Sequence, residues 1–81
     1  MAQLEIRGVP LETVLRLNAE RTISLDRYQE EGVPDRFGYL KSLAEDHGCD
    51  FDVVLTPVDV LGPDEDFDGL VTSLEDGLGF L

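Results

Sequence analysis

Between Asp64 and Glu75 the chain reads Asp-Glu-Asp-Phe-Asp-Gly-Leu-Val-Thr-Ser-Leu-Glu, with carboxylates at 64, 66 and 68 ahead of a glycine and a last glutamate at 75. Carboxylate oxygens suit two kinds of positive matter: hard divalent cations, which take six or more oxygen donors, and the basic side chains of another protein. A second constellation is His47-Gly48-Cys49-Asp50, which holds the only histidine and the only cysteine. A thiol–imidazole pair works as a nucleophile when a cation or a helix start favours the thiolate. Here Glu45, Asp46, Asp50 and Asp52 are the sequence neighbours, and nearby anions disfavour it. A zinc site would want more Cys or His than the chain has. A structural role is expected for both residues.

The stretch from 64 to 75 satisfies D-x-D-x-D-G-x5-E and so resembles the calcium loop of EF-hand proteins. The resemblance implies Asp64, Asp66 and Asp68 as the first three ligands of a Ca²⁺ ion. It also implies Gly69 at the sharp turn, the Leu70 carbonyl as a further donor and Glu75 closing the site with both oxygens. Val71 matches the family's apolar eighth position. The same residues also read as an ordinary helix start. Pro63 opens it, the acids of the first turn meet the positive end of the macrodipole, and Phe67, Leu70, Val71 and Leu74 face the core. The two readings exclude each other locally, because calcium needs residues 64–69 looped.

Charge is the larger pattern. The net charge of -12 divides unevenly along the chain. Ser42 to Leu81 carries eleven carboxylates and no lysine or arginine. The first forty-one residues hold all six cations (Arg7, Arg16, Arg21, Arg27, Arg36, Lys41) against seven acids. The two parts therefore carry -11 and -1. Two carboxylates about 7 Å apart in water repel by roughly 0.6 kcal/mol, cut to roughly 0.25 by physiological salt. Some ten such pairs cost roughly 2–3 kcal/mol, a sizeable part of the roughly 5–10 kcal/mol that holds a small domain together. A cation, a basic partner or a very salty cell would each relieve that cost.

Length and composition narrow the rest. Residues 1–81 are expected to form a single small acidic domain, and 42% apolar content is enough for a core. No apolar run approaches the eighteen or so residues that span a membrane. The opening Met-Ala-Gln-Leu-Glu-Ile-Arg lacks the features of a secretory signal, and one cysteine forms no intrachain disulfide, so a reducing cytoplasm is the expected location. A negative surface disfavours nucleic acid and anionic membranes as direct partners. Scarce lysine and abundant acid also fit a halophile's surface, though the balanced first half argues against a purely global adaptation.

The elements that must position these groups follow from periodicity. Residues 4–7 alternate apolar and polar as a short strand ending at Gly8, and Val9-Pro10 opens a helix with Leu11, Val14, Leu15 and Asn18 on one face. Residues 20–31 fit either helix or strand, with helix preferred. Pro34-Asp35 starts the best-defined helix, carrying Phe37, Leu40, Leu43, Ala44 and His47 to a stop at Gly48. Phe51 to Thr56, rich in β-branched residues and halted by Pro57, is the strongest predicted strand and is expected to pair with the first one. The fold class is α+β, a two- or three-stranded sheet with about three helices on one face.

These observations converge on a non-enzymatic interaction protein (an accessory subunit, a regulator or an inhibitor) that docks its carboxylate-rich second half on a basic protein surface. If that surface normally binds nucleic acid, the acids would compete with phosphates. The expected contacts are Asp50, Asp52, Asp59, Asp64, Glu65, Asp66 and Asp68, with Phe80 and Leu81 as apolar anchors. A Ca²⁺-binding module, and a halophilic domain whose charge implies no partner, are the alternatives.

Overall fold

Residues 5–76 are described by the computed structural model, which begins with a tight hairpin. Glu5–Ile6 (β1) and Val9–Pro10 (β2) pair antiparallel, Ile6 opposite Val9 and Glu5 opposite Pro10. The two loop residues, Arg7 and Gly8, have φ of +54° and +83°. Positive φ at both positions is what a two-residue type I′ loop requires. The expected partner strand at 51–56 is therefore not the partner of the first strand; Val9-Pro10 is.

Five α-helices follow among the described residues: Leu11–Ala19 (α1), Leu25–Glu30 (α2), Arg36–Asp46 (α3), Phe51–Leu61 (α4) and Gly69–Glu75 (α5), with a 3-10 turn at Pro63–Glu65. The α+β class holds, with five helices where about three were expected. The hairpin lies against α1, α3 packs on α1, α2 and α4, and α4 packs on α5.

The helix at 36–46 forms where its caps predict. Asp35 Oδ1 accepts from the Gly38 N–H at 2.8 Å, and Asn18 Oδ1 on α1 accepts from the Phe37 N–H at 3.0 Å. Two free amides of the first turn are thereby satisfied. Phe37, Leu40 and Ala44 are buried as expected, Leu43 is half-buried, and His47 ends the helix exposed. On α1 the buried residues are Val14 and Leu17, while Leu15 is exposed. Of the ambiguous 20–31 stretch, residues 25–30 are helical, and Ser24 caps them through the Asp26 N–H.

The predicted strand at 51–56 is a correction: it is the first half of α4. Phe51, Val54 and Val58 are buried and Leu55 packs partly against the core, which is the i, i+3, i+4, i+7 spacing of a helix face. Pro57 sits inside this helix, where its missing N–H leaves the Val53 carbonyl without its usual donor. Its ring is buried, so packing offsets part of the lost bond. Aromatic edges close the interior, Phe37 against Phe51 at 5.7 Å and Tyr28 against Tyr39 at 5.5 Å between centroids. Among the described residues, no helix is long and apolar enough to cross a membrane.

Candidate interaction surface

The acidic residues expected to meet a partner divide into two environments. Asp50 and Asp52 lie at the start of α4, both exposed, and Asp50 makes no side-chain capping bond. They rim a cleft of about 340 Å³ between the hairpin and α4, walled by Val9, Pro10, Phe51 and Leu55. Lys41 lines the same cleft, its ammonium 5.4 Å from the Phe51 ring centroid. Asp59 is exposed on α4, 3.9 Å from Arg16 Nη1. Asp64 is exposed in the 3-10 turn and accepts from the Thr22 hydroxyl. Glu65 is half-buried, and its Oε2 accepts from the Gly69 N–H at 3.2 Å, helping to start α5. Asp68 is exposed just before α5. Phe80 and Leu81 lie outside the described residues.

Asp66 belongs to the interior, and its place among the contact residues is corrected. It is 0% exposed. Its carboxylate takes a forked ion pair from Arg36, Nε to Oδ2 at 2.7 Å and Nη2 to Oδ1 at 3.2 Å. The Tyr28 hydroxyl donates to Oδ2 at 2.6 Å, and the Tyr39 hydroxyl donates to the Asp66 carbonyl at 2.8 Å. Arg36, itself 1% exposed, spends its remaining nitrogen on the Leu17 carbonyl at 3.0 Å. One guanidinium thus ties α1, α3 and the turn before α5 together. Burial, and next the bond to Asp66, push the Tyr28 hydroxyl well above the usual tyrosine range; burial, then the Asp66 charge, do the same for Tyr39. No buried side-chain nitrogen or oxygen among the described residues lacks a hydrogen-bond partner.

That arrangement does not fit the calcium loop. Both oxygens of Asp66 are taken by Arg36, so freeing them for an ion would leave a buried guanidinium uncompensated. Gly69, expected at the sharp turn, is the first residue of α5, and Leu70 is helical and buried. Among the described residues no three Asp, Glu, His or Cys side chains converge as a metal centre needs, so Asp64, Asp68 and Glu75 are not gathered around a common point. The simple helix start is corrected as well: a 3-10 turn at 63–65 and a further turn at 66–68 precede the helix.

Phe67, between the buried aspartate and the exposed one, packs its ring 4.5 Å from Tyr39 and 5.0 Å from Tyr28, with the Arg27 guanidinium 4.1 Å above it. Cys49 packs against the core and His47 faces solvent. The Arg36–Tyr28–Tyr39–Asp66 cluster had no signature in the sequence, since its members are scattered over thirty-eight residues and no spacing links them.

Four of the six lysine and arginine side chains are in ion pairs. Arg7 pairs with Glu45, Arg16 with Glu20 and at longer range Asp59, Arg27 with Glu31, and Arg36 with Asp66. Arg21 donates to the Ile23 carbonyl at 2.5 Å and Lys41 sits by Phe51. In the second half, only Glu45, Asp59 and Asp66 have a cationic group within 4.0 Å among the described residues. Asp46, Asp50, Asp52, Asp64, Glu65, Asp68, Glu75 and Asp76 have none there. No protein-family model, no curated protein and no solved structure matches this chain.

Proposed function

We propose that this is a non-enzymatic interaction domain whose second half docks on a basic protein surface. The observation that carries the reading is the set of eight carboxylates that, among the described residues, have no cationic group within 4.0 Å, in a molecule four of whose five arginines are already ion-paired. Such an excess of negative charge lowers its own repulsion by meeting lysines and arginines, and the summed field speeds and orients the encounter. The contacts are Asp50, Asp52, Asp64 and Asp68, with Asp59 at the margin because Arg16 already screens it. Where the basic surface normally holds nucleic acid, these carboxylates would stand in for phosphates.

The test is a titration with an oligolysine of about ten residues, followed by amide NMR shifts at increasing KCl. Binding should map to residues 50–52 and 64–68 and weaken by about tenfold or more between 0.05 and 0.5 M salt, as the Debye length falls from about 14 to about 4 Å. Absence of saturable binding at the lower salt, or undiminished binding by the D50N/D52N/D64N/D68N variant, would end the proposal.

The halophilic reading has its own support, because Glu5, Glu12, Asp26 and Glu30 in the first half are exposed too. It expects a fold that needs molar KCl and no partner. A circular-dichroism spectrum already native at 0.15 M KCl would remove it.

A further inference from the structure

We propose that the shallow groove between α4 and α5 receives one apolar side chain from the basic segment that docks on the acidic face. This deepens the docking reading and rests on it. The groove is lined by Pro57, Val60, Leu61 and Ser73 and holds about 180 Å³. For scale, a cavity of about 150 Å³ accommodates a benzene ring, so the space fits one leucine- or phenylalanine-sized group. Val60 is 77% exposed, more than any other large hydrophobic side chain among the described residues, and Leu61 beside it is 36% exposed. Leaving them in water forgoes stabilisation that burial by a partner would supply.

Charge decides what covers the groove. Along α4, Thr56 and Asp52 stand four and eight residues before Val60, on the same solvent face, and Asp59 adjoins it. Across the groove, Asp76 follows Ser73 by three residues at the end of α5. A second copy of this chain would bring another -12 of charge to a face that is already negative. An occupant with lysines or arginines flanking its apolar residue gains from both features. The occupant is therefore an amphipathic basic segment of another protein, with an apolar anchor in the groove and cations on Asp52, Asp59 and Asp76.

Two synthetic peptides separate the groove from charge alone: a helical lysine–leucine peptide and the same peptide with serine for each leucine. At 0.15 M KCl the leucine peptide should bind at least about tenfold more tightly and shift the amides of Val60, Leu61 and Ser73. The V60S variant, at a site too exposed to endanger the fold, should lose most of that advantage while binding the serine peptide as before. Equal affinity for both peptides, or an unaffected V60S protein, overturns the groove and leaves charge docking intact. Binding of neither peptide overturns both. A dimer in sedimentation at micromolar protein would assign the groove to a second copy. That result overturns the proposal.

Discussion

Asp64, Asp66 and Asp68 are three identical residues within five positions, and the molecule treats them in opposite ways. Asp64 and Asp68 face water with no cationic group within 4.0 Å among the described residues, whereas Asp66 is enclosed, forked onto Arg36 and bonded to Tyr28. The residue type is constant, so the difference comes from the backbone. A 3-10 turn followed by a second turn carries the middle aspartate inward, and Phe67 follows it to pack against Tyr28 and Tyr39. A carboxylate count thus mixes two unlike quantities. One acid specifies how the helices meet, and its neighbours set the exterior field.

The comparison breaks most visibly at Arg36. Taking one member from a buried ion pair leaves an uncompensated charge, at a cost of about 3–5 kcal/mol. R36A should therefore consume most of the stability of a domain this size, and D66N should come close, since asparagine keeps an acceptor for Tyr28 but leaves the guanidinium unpaired. Urea denaturation followed by circular dichroism measures both. If D66N loses no more than D64N, the supposed contrast between inside and outside is absent.

Alkali tests the same cluster without mutation. Tyr28 and Tyr39, the only tyrosines, have hydroxyls whose ionisation is raised by burial and by Asp66. A folded pKa above the unfolded value of about 10 means the folded chain holds protons that the unfolded chain releases. The contribution is fully present below about pH 10 and is lost as pH rises beyond it, by about 1.4 kcal/mol per pH unit for each tyrosine kept neutral. Phenolate absorbance should rise in one cooperative step together with loss of helical signal. A phenolate signal that develops near pH 10 while the helices persist would place the hydroxyls in contact with water.

How much of this was legible follows the range of the determining contacts. The helix at 36–46 was readable because its signals are local: Asp35 at the cap, apolar spacing along one face, and Gly48, whose φ of +66° ends the run. The helix at 51–61 was misread although Phe51, Val54, Leu55 and Val58 carry the right spacing. Valine-rich composition and Pro57 argue locally for a strand end, and tertiary burial against α3 and α5 overrides both. The hairpin was missed because its first loop position holds arginine, where asparagine or glycine is the usual signal. Of the surface, the excess of acid was readable, and Asp50, Asp52, Asp59, Asp64 and Asp68 are exposed. The fate of Asp66 was not readable, because its partner lies thirty residues away and is reached only through the packed fold.

Salt sharpens the contrast from the outer side. Screening removes repulsion among exposed acids but barely touches a pair shielded from water. Raising KCl from 0.15 to 1 M should therefore stabilise the native chain by about 2 kcal/mol in urea titrations, from the roughly ten neighbour pairs of the exterior. The D50N/D52N/D64N/D68N variant should gain less than half as much. An equal gain would mean that the repulsion lies elsewhere or that salt acts by another route.

The smallest effect is the most discriminating for the docking reading. Asp50 caps nothing and Asp68 has no side-chain bond to the helix it precedes, so D50N and D68N should each change stability by less than about 0.5 kcal/mol. Two small terms oppose each other: each substitution relieves repulsion from neighbouring acids but removes a negative charge from the positive end of a helix dipole. A residue whose neutralisation leaves the fold equal or better, yet weakens binding to oligolysine, is placed for contact and not for support. If D50N or D68N instead destabilises by 1 kcal/mol or more, that carboxylate serves the fold as Asp66 does, and the division between a supporting acid and an offered one must be redrawn at that residue.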